Sequence, residues 1–277
     1  MADTVPGIAG HLPQPTGTPR LTVFTITYNQ RDKVLDLMQD LAKQTYPFKL
    51  FELVVLDDGG ADSTFDAVRE EGRGVPYAVT ALHRDHEADY MSAKRWNECI
   101  AAADSATDVF VQVDDVRLRP DFLQQHIKWH ARQEAYLVTG AKFESDYETW
   151  NLASCRRAHL ASADGAARIV PAWTAAWGAS LSYRRSLVQK VTQPPHDCPY
   201  DERMVGWGFH EVELAYRMVR AGAKVVYDPA AGVFHQNHTV QSERRRGIER
   251  TDAVRDGALK NVDYVCGKHG LTSLPRW

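Results

Sequence analysis

Apolar positions in this chain switch between two periods. Leu21 to Thr27 (LTVFTIT) is a short β-branched and aromatic run, the pattern of a strand buried on both faces, and Tyr28-Asn29-Gln30 interrupts it. From Asp32 onward Val34, Leu35, Met38, Leu41 and Ala42 recur at helical spacing, and Pro47 closes the segment. Phe51 to Leu56 (FELVVL) repeats the strand pattern and ends in Asp57-Asp58-Gly59-Gly60. Asp62-Ser63-Thr64 offers capping chemistry for a helix through Arg69, and Tyr77 to Leu82 gives a third, weaker strand. A helix over Ser92 to Ala103 precedes Val109 to Val113 (VFVQV), which runs straight into Asp114-Asp115. Further on, the pattern predicts a helix from Asp121 to Glu134 and strands at Tyr136 to Ala141 and near Ala179 to Tyr183. A glycine-rich turn then enters a helix over Gly206 to Gly222, and a strand at Val225 to Asp228 precedes His235.

Strands alternating with helices predict an α/β fold built on a mostly parallel sheet with helices on its faces. Ligands of such sheets gather beyond the C-terminal strand ends, where both acidic pairs fall. Residues 1–19 hold four prolines and three glycines and read as a flexible leader, leaving residues 20–277 as one domain.

Composition narrows the functional classes. Of 277 residues 44% are hydrophobic and 25% charged, which excludes a largely disordered chain. The net charge of −3 lacks the basic excess of a nucleic-acid binder. Cys99, Cys155, Cys198 and Cys266 never form CxxC, so neither a zinc knuckle nor a dithiol motif is present and a reduced, cytoplasmic setting is expected. No apolar run suggests an integral membrane span, and the start lacks a signal-peptide pattern; peripheral association stays open. Ser242 to Arg250 (SERRRGIER) suits either a solvated helix or contact with an anionic acceptor or membrane surface.

Two adjacent carboxylates at two strand ends are what a divalent cation bridging to a diphosphate requires, although acids at strand ends also cap helices and open turns. Near the C-terminal end, GWGFHEVEL (Gly206 to Leu214) holds Glu211 and Glu213, which point in different directions at a helix start. One is a candidate base, whereas Glu213 needs no role beyond the helix dipole. His235 and His238 are both candidate metal ligands. Trp173, Trp177 and Trp207 adjoin small residues, as sugar-stacking walls do, and equally suit a core. Lys94 and Arg95 either reach a pyrophosphate or lie on a solvated helix face.

From Leu21 to Gly270 these motifs resemble, in order, the family 2 nucleotide-sugar glycosyltransferases with the GT-A fold. LTVFTITYN is similar to the opening strand and turn, and LVVLDDGGADST to the second strand with its acidic turn. SAKRWNECI resembles the Ala-Arg-Asn-x-Gly-Ile helix, with Cys99 in place of glycine. VQVDDV occupies the DxD position, where Gln112 replaces the usual first aspartate. GWGFHEVEL resembles the Gly-Trp-Gly-x-Glu-Asp-x-Glu segment of galactosyl-, N-acetylgalactosaminyl- and chondroitin-polymerase-type members, with His210 and Glu211 in place of the Glu-Asp pair. WGASLSYRR is similar to the donor-side strand, and Asn261 to Gly270 to the final helix.

The resemblance implies a nucleotide-binding half (20–116), an acceptor and catalytic half (117–240) and a C-terminal helical segment (241–277). It implies an inverting, metal-dependent transfer from a UDP-sugar to a hydroxyl of a glycan or small-molecule acceptor. Tyr28 and Asp58 would hold uracil, Lys94 or Arg95 the pyrophosphate, Asp114 ribose or a metal-bound water, and Trp177 and Gly178 the donor sugar. Asp115 and His235 would hold Mn²⁺ or Mg²⁺, Trp207 and His210 would face the acceptor, and Glu211 would be the general base. The alternatives are a nucleotidyltransferase, which would want a glycine- and basic-rich loop where this chain has TYNQRDK, and a sugar-nucleotide-binding module without catalysis.

Overall fold

The computed structural model describes residues 17–87, 91–132, 134–143, 158–236 and 252–274. Nine strands among them form one sheet in the order β3-β2-β1-β4-β8-β6-β9-β5, with β7 also on β9. The strands β1 (Leu21–Thr27), β2 (Phe51–Asp57), β3 (Ala78–His83) and β4 (Val109–Val113) are mutually parallel. Antiparallel β8 (Ser180–Arg184) joins β4 to β6 (Tyr136–Phe143), and β6 runs parallel to β9 (Lys224–His235). The short β5 (Val116–Arg117) and β7 (Arg168–Val170) pair antiparallel with β9.

Both faces of the central strands are buried, which is why they read as continuous apolar runs. On one face Val23, Leu53, Val55, Val109 and Val111 pack with Leu37, Met38 and Leu41 of α1 (Arg31–Leu41), Val68 of α2 (Thr64–Glu71) and Phe122 and Ile127 of α4 (Phe122–His130). On the other, Phe24, Val54, Leu56, Phe110 and Leu181 pack with Cys99 and Ile100 of α3 (Ser92–Ala102) and Leu187 of α5 (Arg185–Val191). Leu214 and Met218 of α6 (His210–Arg220) and Val265 of α7 (Asp252–His269) complete that layer.

Register sets the site. Thr27 pairs with Asp57 and Asp57 with His83, so three strand ends lie level. Val116 pairs with His235, which brings the end of β9 beside Asp115.

Several elements differ from the pattern reading: α4 ends at His130 instead of Glu134, and α5, β5 and β7 have no counterpart in it. Strand β9 extends to His235 instead of stopping at Asp228, because the register with β6 shifts between Gly140 and Lys142 and the strand resumes past Pro229. The shift needs Gly140, where a Cβ would collide with the Ala231 carbonyl oxygen. Within the capping group Asp62-Ser63-Thr64 it is Asp62 that bonds the start of α2: its Oδ1 accepts from the Thr64 amide at 3.2 Å and hydroxyl at 2.6 Å. Helix α7 begins at Asp252, nine residues ahead of the segment singled out in sequence.

Residues 1–16 of the leader, His238 and Ser242 to Arg250 lie outside the described residues. Among the described residues no helix is long and apolar enough to cross a membrane.

Candidate functional site

Three groups of side chains lie at the C-terminal ends of the parallel strands, the edge at which sheets of this kind hold ligands in a crevice. At the end of β2 the two aspartates divide the work. Asp57 is buried: its Oδ1 accepts the Gly60 amide at 3.1 Å and its Oδ2 lies 2.9 Å from His83 Nδ1, so it holds the turn. Burial pushes its carboxyl upward, and the bonds from His83 and Gly60 pull back. Asp58 turns outward, where Arg95 Nε donates to Oδ1 at 2.5 Å and His86 Nδ1 lies 3.0 Å from Oδ2. The His86 ring stacks on Tyr28 at 4.1 Å between centroids and 15° between planes. Tyr28, His86 and Asp58 thus form one aromatic and acidic wall. Asn29, at φ 52, accepts the Ala61 amide on its Oδ1 at 2.6 Å and locks the β1 turn to the β2 turn.

Arg95 is only 3% exposed. Besides Asp58 it donates to Glu98, Glu87 and the Asp85 carbonyl, so it anchors the wall instead of reaching into the crevice as the sequence suggested. Lys94 is nearer solvent, with Nζ 2.9 Å from Glu87 Oε1.

At the end of β4, Asp114 and Asp115 also separate. Asp115 is buried: Oδ2 accepts from Lys33 Nζ at 2.7 Å and Gln30 Nε2 at 3.0 Å, Oδ1 lies 3.2 Å from His235 Nε2, and its carbonyl accepts the Gln236 amide. Lys33 also donates to the Gln236 carbonyl at 2.9 Å, joining α1 to the end of β9. Asp114 is open to water at the crevice floor; crowding there and the adjacent Asp115 charge raise its carboxyl above the ordinary range, against Lys142 and His235.

A carboxylate and an imidazole in contact fit a Mn²⁺ or Mg²⁺ ion bound with help from a diphosphate, since oxygen and nitrogen donors suit such cations. No group of three or more His, Cys, Asp or Glu among the described residues could hold a metal alone.

The third group lies where α6 begins. Gly206 (φ 92), Gly208 (φ 91) and Phe209 (φ 69) wind the GWGF turn through left-handed backbone, which costs a non-glycine such as Phe209 about 1–2 kcal/mol. Helix α7 holds the turn: Asn261 Nδ2 donates to the Gly208 carbonyl at 2.9 Å. The turn leaves Trp207 51% exposed and aims Glu211 into the crevice, where its Oε1 accepts from Gln112 Nε2 at 3.1 Å. Gly178 lies against the same pair; a Cβ there would collide with both Gln112 Nε2 and Glu211 Oε1. Trp177 is half-buried, its indole donating to the Gly140 carbonyl at 3.1 Å and Lys142 Nζ lying 5.8 Å from its ring centre.

His210 takes the opposite direction. It is 1% exposed, with Nε2 3.1 Å from the Met204 carbonyl and its ring edge-on to Trp96, and burial pulls its pKa down to about 4. The position expected to face the acceptor is thus a neutral core residue, since the first residue of α6 points back under the turn. Glu213, two residues past Glu211, is fully buried beneath α7 and receives Arg217, Lys268 and His269. Despite burial, these bonds hold its carboxyl down at about 2.

Sequence reasoning missed His86, Gln30, Lys33 and Tyr200. Gln30 and Lys33 carry a signal: three residues apart at the start of a helix, they share the face toward the acidic pair.

Residues 22–192, more than half of the chain, match the profile of the glycosyl transferase family 2 domain. The chain belongs to glycosyl transferase family 2. One curated relative is a poly(ribitol-phosphate) β-N-acetylglucosaminyltransferase, TarS of Staphylococcus aureus, 29% identical over 96 residues. That stretch is 35% of this chain and 16% of the relative, so most of TarS has no counterpart in the match.

Solved structures share the fold. GalNAc-T7 with UDP, GalNAc and Mn²⁺ superposes with a TM-score of 0.65 at 14% identity, covering 91% of this chain and 48% of that one. A Pyrobaculum calidifontis mannosyltransferase with GDP-Man and Mn²⁺ gives 0.63 at 20% identity, covering 87% and 64%. S. aureus TarS 1–349 with UDP-GlcNAc gives 0.55 at 15% identity, covering 80% and 60%. The architecture is that of the GT-A glycosyltransferases.

Proposed function

We propose that this family 2 member transfers a sugar from a UDP-sugar to an acceptor hydroxyl with inversion at the anomeric carbon. The observation that carries this reading is the double reach of strand β4: Gln112 bonds Glu211, and Asp115, three residues on, meets His235. In this reading a base and a cation-binding pair share one strand end. The UDP-bound relatives in the same fold support uridine as the base.

In this reading Tyr28, backed by His86, stacks on uracil, and Asp58 accepts a hydrogen bond from it while Arg95 holds the carboxylate in place. Asp114 faces the ribose, Lys94 leaves Glu87 for the pyrophosphate, and Trp177 with Gly178 forms the wall beside the sugar. Asp115 and His235 hold Mn²⁺ or Mg²⁺, which when bound offsets the charge developing on departing UDP. Trp207 presents its exposed ring to the acceptor. His210 supports the GWGF turn from beneath and makes no acceptor contact.

The bond made is between the acceptor oxygen and the anomeric carbon; the bond broken is between that carbon and the UDP oxygen. Glu211 takes the acceptor proton and UDP leaves with the bonding electrons. General-base assistance of this kind contributes about 10²–10⁴-fold. Glu211→Gln is expected to bind UDP-sugar as wild type does and to lose transfer by that factor. Unchanged turnover would remove Glu211 from the role.

A further inference from the structure

Gln112 replaces the first aspartate usual in the DxD motif that this chain resembles, and its side chain bonds Glu211 and Tyr200. It is 1% exposed, and its amide is held at both ends. Nε2 donates to Glu211 Oε1 at 3.1 Å, and Oε1 accepts from the Tyr200 hydroxyl. The Tyr200 hydroxyl pairs in turn with that of Tyr183 at 2.8 Å. Both phenols are fully buried, and burial raises both pKa values, so both stay protonated. With the Tyr200 proton committed to Gln112, Tyr183 donates to Tyr200, and the chain runs one way toward Glu211. The Tyr200 backbone is fixed by Asn97 of α3, which donates to its carbonyl at 2.8 Å and accepts its amide at 2.9 Å.

We propose that Gln112 is a positioning residue that aims Glu211, with Tyr183 and Tyr200 fixing the amide so that its NH₂, and never its carbonyl, meets the carboxylate. The inference rests on Glu211 being the base. A hydrogen bond to the ionised form lowers a carboxyl pKa, whereas an aspartate at position 112 would set two carboxylates against each other and raise it. An amide donor at this strand position therefore keeps Glu211 ionised and in one rotamer. Gly178 belongs to the same arrangement, since any Cβ there would occupy the space between the two side chains.

The test is a ¹³C titration of the full chain labelled at glutamate Cδ, with the Glu211 resonance assigned by its absence in Glu211→Gln. Gln112→Met is expected to raise the Glu211 midpoint by about one pH unit, a tenfold weaker acid. Tyr200→Phe, which keeps the amide and frees it to turn over, should raise it by less. Both variants should bind UDP-sugar normally and lower kcat with little change in donor KM. A merely structural role would reduce thermal stability and leave the Glu211 midpoint in place. An unmoved midpoint in both variants overturns the proposal. Retained transfer by Glu211→Gln would instead overturn the base assignment, whatever the titration shows.

Discussion

Single atoms decide the geometry around Glu211. Gly178 has no side chain because Gln112 Nε2 and Glu211 Oε1 fill the space a Cβ would need. Gly178→Ala is therefore expected to push the carboxylate off its line, and displacements near 1 Å cost about 10²-fold in rate. Circular dichroism and thermal unfolding should be near those of wild type. Full activity in Gly178→Ala would show that the contact is not used. The placement of both acidic pairs at strand ends and of Glu211 at a helix start was readable at this scale, because strand-end acids and motif order survive in the sequence; the choice between His235 and His238 was not. The roles of Gln112, His86 and His210 were not, because each depends on which way a side chain turns from a known position. Gln112 looked like a lost ligand, yet its amide has a partner 99 positions away. His210 looked like an acceptor contact, yet as the first residue of α6 it lies beneath the turn that precedes it.

At the scale of elements, the C-terminal helix clamps the turn and helix that carry Glu211. Glu213 of α6 binds Arg217 on its own helix at 2.8 Å, and Lys268 at 2.6 Å and His269 at 3.0 Å on α7, while Asp201 takes Lys268 and the Tyr264 hydroxyl, each at 2.7 Å. Removing one partner of a buried ionic cluster strands the others and costs about 3–5 kcal/mol. Glu213→Ala should lower the urea-derived stability by that order, and a loss under about 1 kcal/mol would show that α7 docks without the cluster. Asn261→Ala touches only the turn. It should cost about 1 kcal/mol of stability, and it should reduce kcat more than donor affinity, because the Gly208 carbonyl lies on the path that aims Glu211. Equal activity in wild type and Asn261→Ala would separate α7 from the turn. Sequence patterning located α1 to α4, α6 and the parallel strands, whose apolar faces are regular, and it missed the short α5, β5 and β7. It shortened β9, because Pro229 and the shift at Gly140 break the period inside one continuous strand.

For the whole molecule, three buried histidines couple folding to pH. His126 and His130 of α4 meet Ser182 on β8, each at 2.7 Å, and burial pulls His126 to about 3 and His130 well below its ordinary value. His210 is held at about 4. In the unfolded chain each titrates near about 6.5. Below that pH the unfolded state binds protons the folded state refuses, so stability falls as pH drops from about 6.5 toward the folded values. Each such histidine contributes a slope of about 1.4 kcal/mol per pH unit within that window, and none above it. His126→Gln should be less stable than wild type at pH 8 and lose less stability than wild type between pH 6.5 and 5; parallel curves would contradict the assignment.

If Tyr28, Asp58 and Asp115 at the strand ends form a uridine-nucleotide site completed by a divalent cation, calorimetric titration of UDP-sugars, with GDP-mannose as control, in Mn²⁺ and then in chelator should reveal it. A UDP-sugar is expected to bind, and to bind far more weakly in chelator and in Asp115→Asn, with no comparable binding of GDP-mannose. No binding of any uridine nucleotide in the presence of Mn²⁺ would contradict it.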